Sequence, residues 1–426
     1  MNYLIDFIKE YINNNLFLVI LGILTSYQFL YLIIGIFSKK KTFKETKEYK
    51  KYAVVIAARN EELVIKNLIE SIKRQNYPKD KLSIFVVADN CTDNTAKIAK
   101  NAGAIVYERF NKEKKRKGYA LTFLFDQIER DYSISSFDGF IFFDADNLVD
   151  KNFVNEINKA FVSKGNIVTG YRNIKNFDSN LVSSAYGIHF YRSVVAYHRP
   201  RERLNLGTHI AGTGFVIDSK LIKGGWNFNT LTEDTELTIH FATKGIKVSF
   251  CEDAVFYDEQ PTSFKVAYTQ RKRWTKGRLD VFLKYFPSMI INTFKRLSFT
   301  IYDMFFYSFP WPFYSLIKVI LYPIILGFIK NDIYTNIFWK DFLIVFLSMM
   351  VGIYINNFIF GLFVVIKERK NIPSSPFKKF LAIITYPWFN MMTIFLALGI
   401  LFNPFVGWKE IVHDDVREIE DIKIKR

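Results

Sequence analysis

Four apolar runs frame this chain, one ahead of a polar middle and three behind it, and runs of that length leave few structural options. Leu16 to Phe37 is almost uncharged and reaches the roughly 20 residues that a helix needs to cross a bilayer. Lys39, Lys40, Lys41, Lys44 and Lys47 follow at once. Basic residues collect on cytoplasmic loops, so the sequence predicts a membrane helix followed by a cytosolic segment. A cleaved signal peptide needs a short apolar core and a small-residue cleavage site, and neither is present. The later runs cover about Phe305 to Ile329, Phe342 to Ile366 and Phe380 to Phe402, and Lys367, Arg369 and Lys370 mark the last link as cytosolic. Simple counting then puts the C-terminus outside. Pro310 and Pro312 are expected to split the first of these runs into an interfacial and a spanning part, and Pro387 with Asn390 to make the last one re-entrant.

Charge narrows the function. Lys and Arg number 58 against 41 Asp and Glu, a net +17, which suits nucleic acid, anionic lipid or an anionic substrate. The basic residues flank the apolar runs and form no separate tail, which argues against nucleic acid. Cys91 and Cys251 have no metal-ligand spacing, and both fit a reduced cytosolic domain.

Between the membrane segments the texture alternates strand and helix. Ala53–Ala58, Leu82–Ala88, Ala104–Tyr107 and Phe140–Asp144 read as strands. Helices are expected from about Glu61, capped by Asn60, over Asp93–Ala102, and over Gly118–Arg130. This βαβαβαβ order predicts a mostly parallel α/β sheet. Helices near 151–163 and 180–197, a strand at 167–171, a Gly212-Thr213-Gly214 turn and a helix from Glu233 come next, then amphipathic interfacial helices. The segments are 1–48 (membrane helix and basic linker), 49–260 (catalytic), 261–300 (interfacial), 301–403 (membrane) and 404–426 (charged tail).

The chemistry gathers at strand ends and helix starts. In Phe143-Asp144-Ala145-Asp146-Asn147 the strand alternation puts both acids on one side, able to share a divalent cation, beyond the carboxyl ends where ligands of open α/β sheets sit. Asp89 ends another strand, placed for a base or ribose, with an Asx turn as the plainer reading; Asp93 reads as a helix cap. Lys117, in the basic cluster that opens a helix, can meet phosphate oxygens, although charge runs are usually solvated faces. Thr232-Glu233-Asp234-Thr235-Glu236 opens a helix, where acids are stabilised in any case, and one of them can serve as general base. Gln270-Arg271-Lys272-Arg273-Trp274 offers two guanidinium forks for a pyrophosphate and an indole for a sugar ring, or else a basic-aromatic interfacial helix.

ARNE at 58–61, ADNCTD at 88–93, FDADN at 143–147, GTGF at 212–215, TEDTE at 232–236 and QRKRW at 270–274 occur in an order that resembles the membrane-embedded family 2 glycosyltransferases. That group includes the cellulose, hyaluronan and poly-N-acetylglucosamine synthases. The resemblance implies a GT-A fold using a nucleoside diphosphate sugar. Asp89 would touch the uracil, Asp144 the nucleotide, and Asp146 with Asp144 would bind Mg²⁺ or Mn²⁺. Lys117 would lie near the phosphates and Arg273 on the pyrophosphate. Asp234 would be the catalytic base. Trp274 and Gln270 would meet the acceptor, with Gly212, Thr213 and Gly214 bordering its site. The function implied is an inverting, processive synthase at the plasma membrane that polymerises UDP-glucose into a β-glucan and exports it, with the catalytic domain cytosolic. Its partners would be a UDP-sugar, a nascent polysaccharide, membrane lipid and an accessory export or regulatory subunit, with no nucleic acid. A hyaluronan- or poly-N-acetylglucosamine-type synthase, a transferase to a lipid carrier and a silent membrane scaffold are the alternatives. Tyr354, Phe358, Phe360, Trp388 and Phe389 are either rungs of a product channel or ordinary packing.

Overall fold

A computed structural model describes residues 16–329, 332–407, 411 and 413–422. The first fifteen residues of the expected 1–48 segment, residues 330–331 of 301–403, and 408–410, 412 and 423–426 of the expected tail lie outside the described residues. The strands are β1 Tyr52–Ala58, β2 Leu82–Asp89, β3 Ile105–Arg109, β4 Gly139–Asp144, β5 Leu148–Val149, β6 Ile167–Ile174, β7 Phe215–Asp218 and β8 Val248–Asp258. They form one sheet in the order β3-β2-β1-β4-β7-β6-β8-β5. The first four pair in parallel, as the alternating pattern predicts. Beyond β4 the sheet is mixed, because β7 runs antiparallel to both β4 and β6.

Burial on both faces explains the nearly continuous apolar strands. Tyr52, Val54 and Ile56 of β1 pack on one side with Ile141 and Phe143 of β4, while Ala53 and Val55 pack on the other with Phe140 and Phe142. β1 has β2 on one side and β4 on the other, so the chain reverses its direction of winding beside β1. The crevice at that switch point is where an open α/β sheet receives ligands.

The described helices, in chain order, are α1 Leu16–Thr25, α2 Tyr27–Phe37, α3 Ile65–Lys73, α4 Thr95–Asn101, α5 Lys117–Tyr132, α6 Phe153–Lys164, α7 Leu181–Ser193, α8 Arg199–Arg203, α9 Glu233–Thr243, α10 Phe264–Arg296, α11 Phe299–Ser308, α12 Trp311–Leu316, α13 Tyr322–Ile329, α14 Asn336–Glu368 and α15 Pro376–Phe402. Among the described residues, four stretches are long and apolar enough to cross a membrane: Val19–Phe37, Trp311–Ile329, Asn336–Glu368 and Pro376–Phe402. The chain is a membrane protein.

Three local expectations change. Asn60 does not cap a helix; it sits at φ 54° and its side chain accepts from the Thr92 amide at 2.8 Å, so α3 starts only at Ile65. The amphipathic region is dominated by one 33-residue helix, α10. Pro387 lies inside α15, which runs on to Phe402 and is not re-entrant. The hydroxyl of Tyr354 donates to the Ile384 carbonyl at 3.1 Å, and Asn390 donates to Asn357 at 2.8 Å, so α14 supplies polar partners on both sides of the proline. The split at Pro310 is present, between α11 and α12.

Buried ion pairs fasten the sheet domain to the membrane helices. Arg201 of α8 grips Asp303 of α11 through two bonds of 2.7 and 2.9 Å, and the hydroxyls of Tyr27 and Tyr31 on α2 donate to the same carboxylate at 2.9 and 3.0 Å. Both charges are fully buried. Removing one partner of such a pair leaves the other charge uncompensated, so Asp303→Asn is expected to destabilise the fold by about 3–5 kcal/mol. Thermal unfolding of the purified variant in detergent, compared with the parent, reads this directly.

Candidate active site

The carboxyl ends of β1, β2, β4 and β8 open onto one cavity of about 830 Å³. Asp89, Asp144 and Asp258 are the last residues of three of these strands, so the sheet itself carries three acids to one edge. Asp144 and Asp146 come together differently from the expected strand alternation. β4 stops at Asp144, and a turn closed by the Asn147 amide on the Asp144 carbonyl at 3.1 Å brings Asp146 back. Asn147 then donates to Asp258 at 2.7 Å and to Asp146 at 3.3 Å. The result is a cluster of Asp144, Asp146 and Asp258 whose ligand oxygens lie within 4.8 Å of one another.

Burial, with Asp144 and Glu61 adding like charge against the opposing His413, pushes Asp146 up to about 6. Asp258 is also pushed up to about 6, by burial and by Asp146 and Asp144 against the relief of Arg172. Three carboxylates offering hard oxygen donors fit Mg²⁺ or Mn²⁺, which would neutralise charge on a pyrophosphate when bound.

Basic groups meet this cluster from several elements. Lys117, the first residue of α5, pairs with Asp144, donates to the Gly212 carbonyl at 2.9 Å and lies 3.8 Å from Glu233. Burial opposes its charge, but Asp144 and Glu233 prevail and hold its pKa above the ordinary value. Asp89 is buried and paired with both Arg59 and Arg109. Asp93 accepts from the Thr95 amide at 3.0 Å, but Asn94 is the N-cap residue of α4, so Asp93 braces the turn ahead of the helix and does not cap it as expected.

At the start of α9 the three acids separate. Both oxygens of Glu236 are used, one on the amides of Asn229 and Thr230 at 3.1 Å each, the other on Lys284. Glu233 faces Lys117; burial pushes it up to about 7, with Lys117 opposing and Asp234 reinforcing the shift. Asp234 lines the cavity, and its Oδ2 faces Gly212. Burial raises its pKa also.

The Gly212–Gly214 turn supports the site more than it lines it. Both glycines adopt positive φ, 85° and 66°, and a Cβ on Gly214 would stand 2.0 Å from the Phe256 ring. Thr213 is buried behind the wall, where its Oγ accepts from the Asp144 amide at 2.9 Å. Of the three turn residues expected to border the acceptor site, only Gly212 lines the cavity.

Along α10, Gln270, Arg271, Arg273 and Trp274 all reach the cavity, but the two arginines diverge, since neighbours two apart on a helix point about 200° apart. Arg273 donates to the Leu231 carbonyl at 3.2 Å beside α9, whereas Arg271 lies on Phe389 of α15. The expectation of two forks on one pyrophosphate therefore fails for Arg271. None of Tyr354, Phe358, Phe360, Trp388 and Phe389 lines the cavity; Asn356, Asn357, Asn390 and Thr393 of the same helices do.

Sequence reasoning missed two groups at the cluster. Asp258 ends a strand, the same signal that marked Asp89 and Asp144. His413 had no signal: it arrives from the tail, its Nδ1 3.0 Å from both Glu61 oxygens. Burial opposes its charge, but Asp146 and Glu61 outweigh that and push the imidazole up to about 10.

Residues 50–277 match the family described as glycosyltransferase like family 2, over just more than half of the chain. The chain is a family 2 glycosyltransferase. This glycosyltransferase is 29% identical over 269 residues to the probable glycosyltransferase YdaM of Bacillus subtilis, covering 62% of this chain and 63% of the relative. It is 26% identical to a beta-monoglucosyldiacylglycerol synthase of Synechocystis over 56% of this chain and 50% of that one. Glucomannan 4-beta-mannosyltransferase 2 of Arabidopsis thaliana is 25% identical over 58% of this chain and 48% of that one. The chain thus spans less than two thirds of the length of these relatives. A solved mannosyltransferase from Pyrobaculum calidifontis, in complex with GDP-mannose and Mn²⁺, is 13% identical with a TM-score of 0.47, covering 83% of this chain and 97% of that one.

Because a cation competes with protons for Asp146 and Asp258, Mn²⁺ affinity of this glycosyltransferase is expected to fall at least about tenfold between about pH 7.5 and about pH 5.5. Calorimetric titration at the two pH values checks it, and Asp258→Asn is expected to weaken binding at the higher pH.

Proposed function

We propose that this protein transfers glucose from UDP-glucose, with inversion, to the non-reducing-end hydroxyl of a β-linked glycan, extends that glycan processively and exports it across the plasma membrane. One observation carries the reading: the cavity is continuous from the Asp144, Asp146 and Asp258 cluster, past Asp234 and Trp274, to polar residues of the membrane-length helices α14 and α15. Residues 49–260 act as the cytosolic catalytic domain, 261–300 as its interfacial wall, 301–403 as the membrane part, with 1–48 as anchor and 404–426 as tail. The relatives' names support β-linkages, and one of them supports glucosyl transfer.

In the proposed reaction the acceptor oxygen bonds to the anomeric carbon as the bond from that carbon to the UDP oxygen breaks, and the hydroxyl proton passes to Asp234. A bound Mg²⁺ or Mn²⁺ on Asp144 and Asp146 would neutralise the leaving pyrophosphate. Lys117 and Arg273 add cationic donors beside it, Asp89 contributes to the nucleotide end, and Trp274 and Gln270 face the acceptor with Gly212. Asp234 is favoured as base over its neighbours. Glu236 has no oxygen left to accept a proton transfer, and Glu233 is engaged by Lys117.

Purified protein in nanodiscs, offered a panel of UDP-sugars, is expected to release UDP from UDP-glucose and yield β-linked product. Incorporation of N-acetylglucosamine in place of glucose would overturn the donor, and UDP release without polymer would point to a lipid acceptor. A base contributes typically 10²- to 10⁴-fold. Asp234→Asn is therefore expected to retain near-normal UDP affinity while losing turnover by at least about 10²-fold. Normal turnover in that variant together with a dead Glu233→Gln would assign the base to Glu233.

A further inference from the structure

The cavity has two electrically different ends. At the sheet edge, charges are matched: Lys117 pairs with Asp144 and Arg172 with Asp258. Toward the membrane helices the matching stops. Arg192 of α7 and Arg271 and Arg278 of α10 all line the cavity, and among the described residues none of the three has a carboxylate within ion-pair distance. Their neighbours are neutral. Arg192 reaches the Tyr386 hydroxyl at 3.5 Å and lies 5.2 Å from the Phe360 ring. Arg271 donates to the Phe389 carbonyl and stacks 3.7 Å from that ring, and Arg278 lies 5.0 Å from the Tyr307 ring.

Unsatisfied polar atoms converge on the same place. Arg192 Nε, His189 Nδ1, His209 Nδ1 and Gln270 Oε1 are buried, have no hydrogen-bond partner among the described residues and belong to residues that line this cavity. Arg271 is itself only 5% exposed. Guanidinium groups withdrawn from bulk water are costly unless their charge is compensated, and their planar forks match carboxylate or phosphate oxygens in pairs. A wall with three of them is therefore built for an oxyanion.

The rest of that end narrows what carries it. Asn356, Asn357, Asn390 and Thr393 present amides and a hydroxyl among the apolar side chains of Ile353, Met391 and Ile394, a mixed lining of polar groups and apolar faces. Such groups suit sugar hydroxyls. We infer that the acceptor is an acidic glycan, whose carboxylate or phosphate, on a sugar near the attacking end, is held by Arg192, Arg271 and Arg278. This rests on the reading that sugar transfer occurs at Asp234, and it places the anion on the acceptor that receives the first sugars, since a transferred glucose adds no charge.

Binding of cellotriose and of its C6-oxidised triuronate to the full-length protein, in nanodiscs of neutral lipid with UDP present, tests the inference by calorimetry. The triuronate is expected to bind at least about tenfold more tightly, as charge-assisted pairs require. Arg192→Gln and Arg278→Gln are each expected to remove most of that preference while UDP affinity stays within about twofold of the parent, which also reports that the variants are folded. Equal or tighter binding of cellotriose, no binding of either sugar, a preference that survives in both variants, or tighter binding of a short-chain phosphatidate than of the triuronate would each overturn the acidic-glycan acceptor. The donor reading fails separately: triuronate binding with no UDP released from UDP-glucose would overturn the donor and leave the anion site standing.

Discussion

Two arginines on the short helix α8 hold the catalytic sheet against the membrane helices. Arg201 is locked to Asp303 of α11, and Arg199 joins Glu252 of β8 to Glu368 of α14 while donating to the Gly35 carbonyl of α2 at 3.1 Å. Buried charges of this kind are costly to form but fix one geometry when fully paired. β8 ends in Asp258 of the acidic cluster, and α14 contributes Asn356 and Asn357 to the far end of the cavity. The continuity of the cavity therefore depends on the ties that hold these two elements in register.

Close packing reinforces the ties. A Cβ on Gly35 would fall 1.7 Å from the Val195 carbonyl oxygen, so α2 lies directly on the widened helical turn at Val194–His198. That turn separates α7, which carries His189 and Arg192, from α8, which carries the anchoring arginines. The cavity wall that bears Arg192 and the anchor thus belong to one continuous helical segment.

The tail lies against the acidic end of the site. The Asp414 and Asp415 amides donate to Glu259 at 3.2 and 3.3 Å, Arg74 pairs with Glu420, and Asn67 donates to the Val416 carbonyl at 2.9 Å. Held there, His413 brings a positive charge to a cluster otherwise dominated by carboxylates, and it offsets part of the repulsion among Glu61, Asp146 and Glu259.

The amino-acid sequence by itself determined the features that are local. Membrane-length helices follow from runs of apolar residues, and the parallel half of the sheet follows from short, nearly continuous apolar runs that alternate with helix-forming segments. Asp89 and Asp144 were legible because each ends an apolar strand, and Asp234 because it lies in an acidic helix start. Tertiary structure decided whatever depends on distant segments meeting. Asp146 reaches Asp144 through a turn that Asn147 and Thr213 brace, and Thr213 lies in the loop ahead of β7. His413 comes from beyond the last membrane helix. That Arg192, Arg271 and Arg278 have no carboxylate within ion-pair distance among the described residues follows from how α7 and α10 meet α14 and α15, and no residue's own neighbours in the chain specify which charges will lie opposite it.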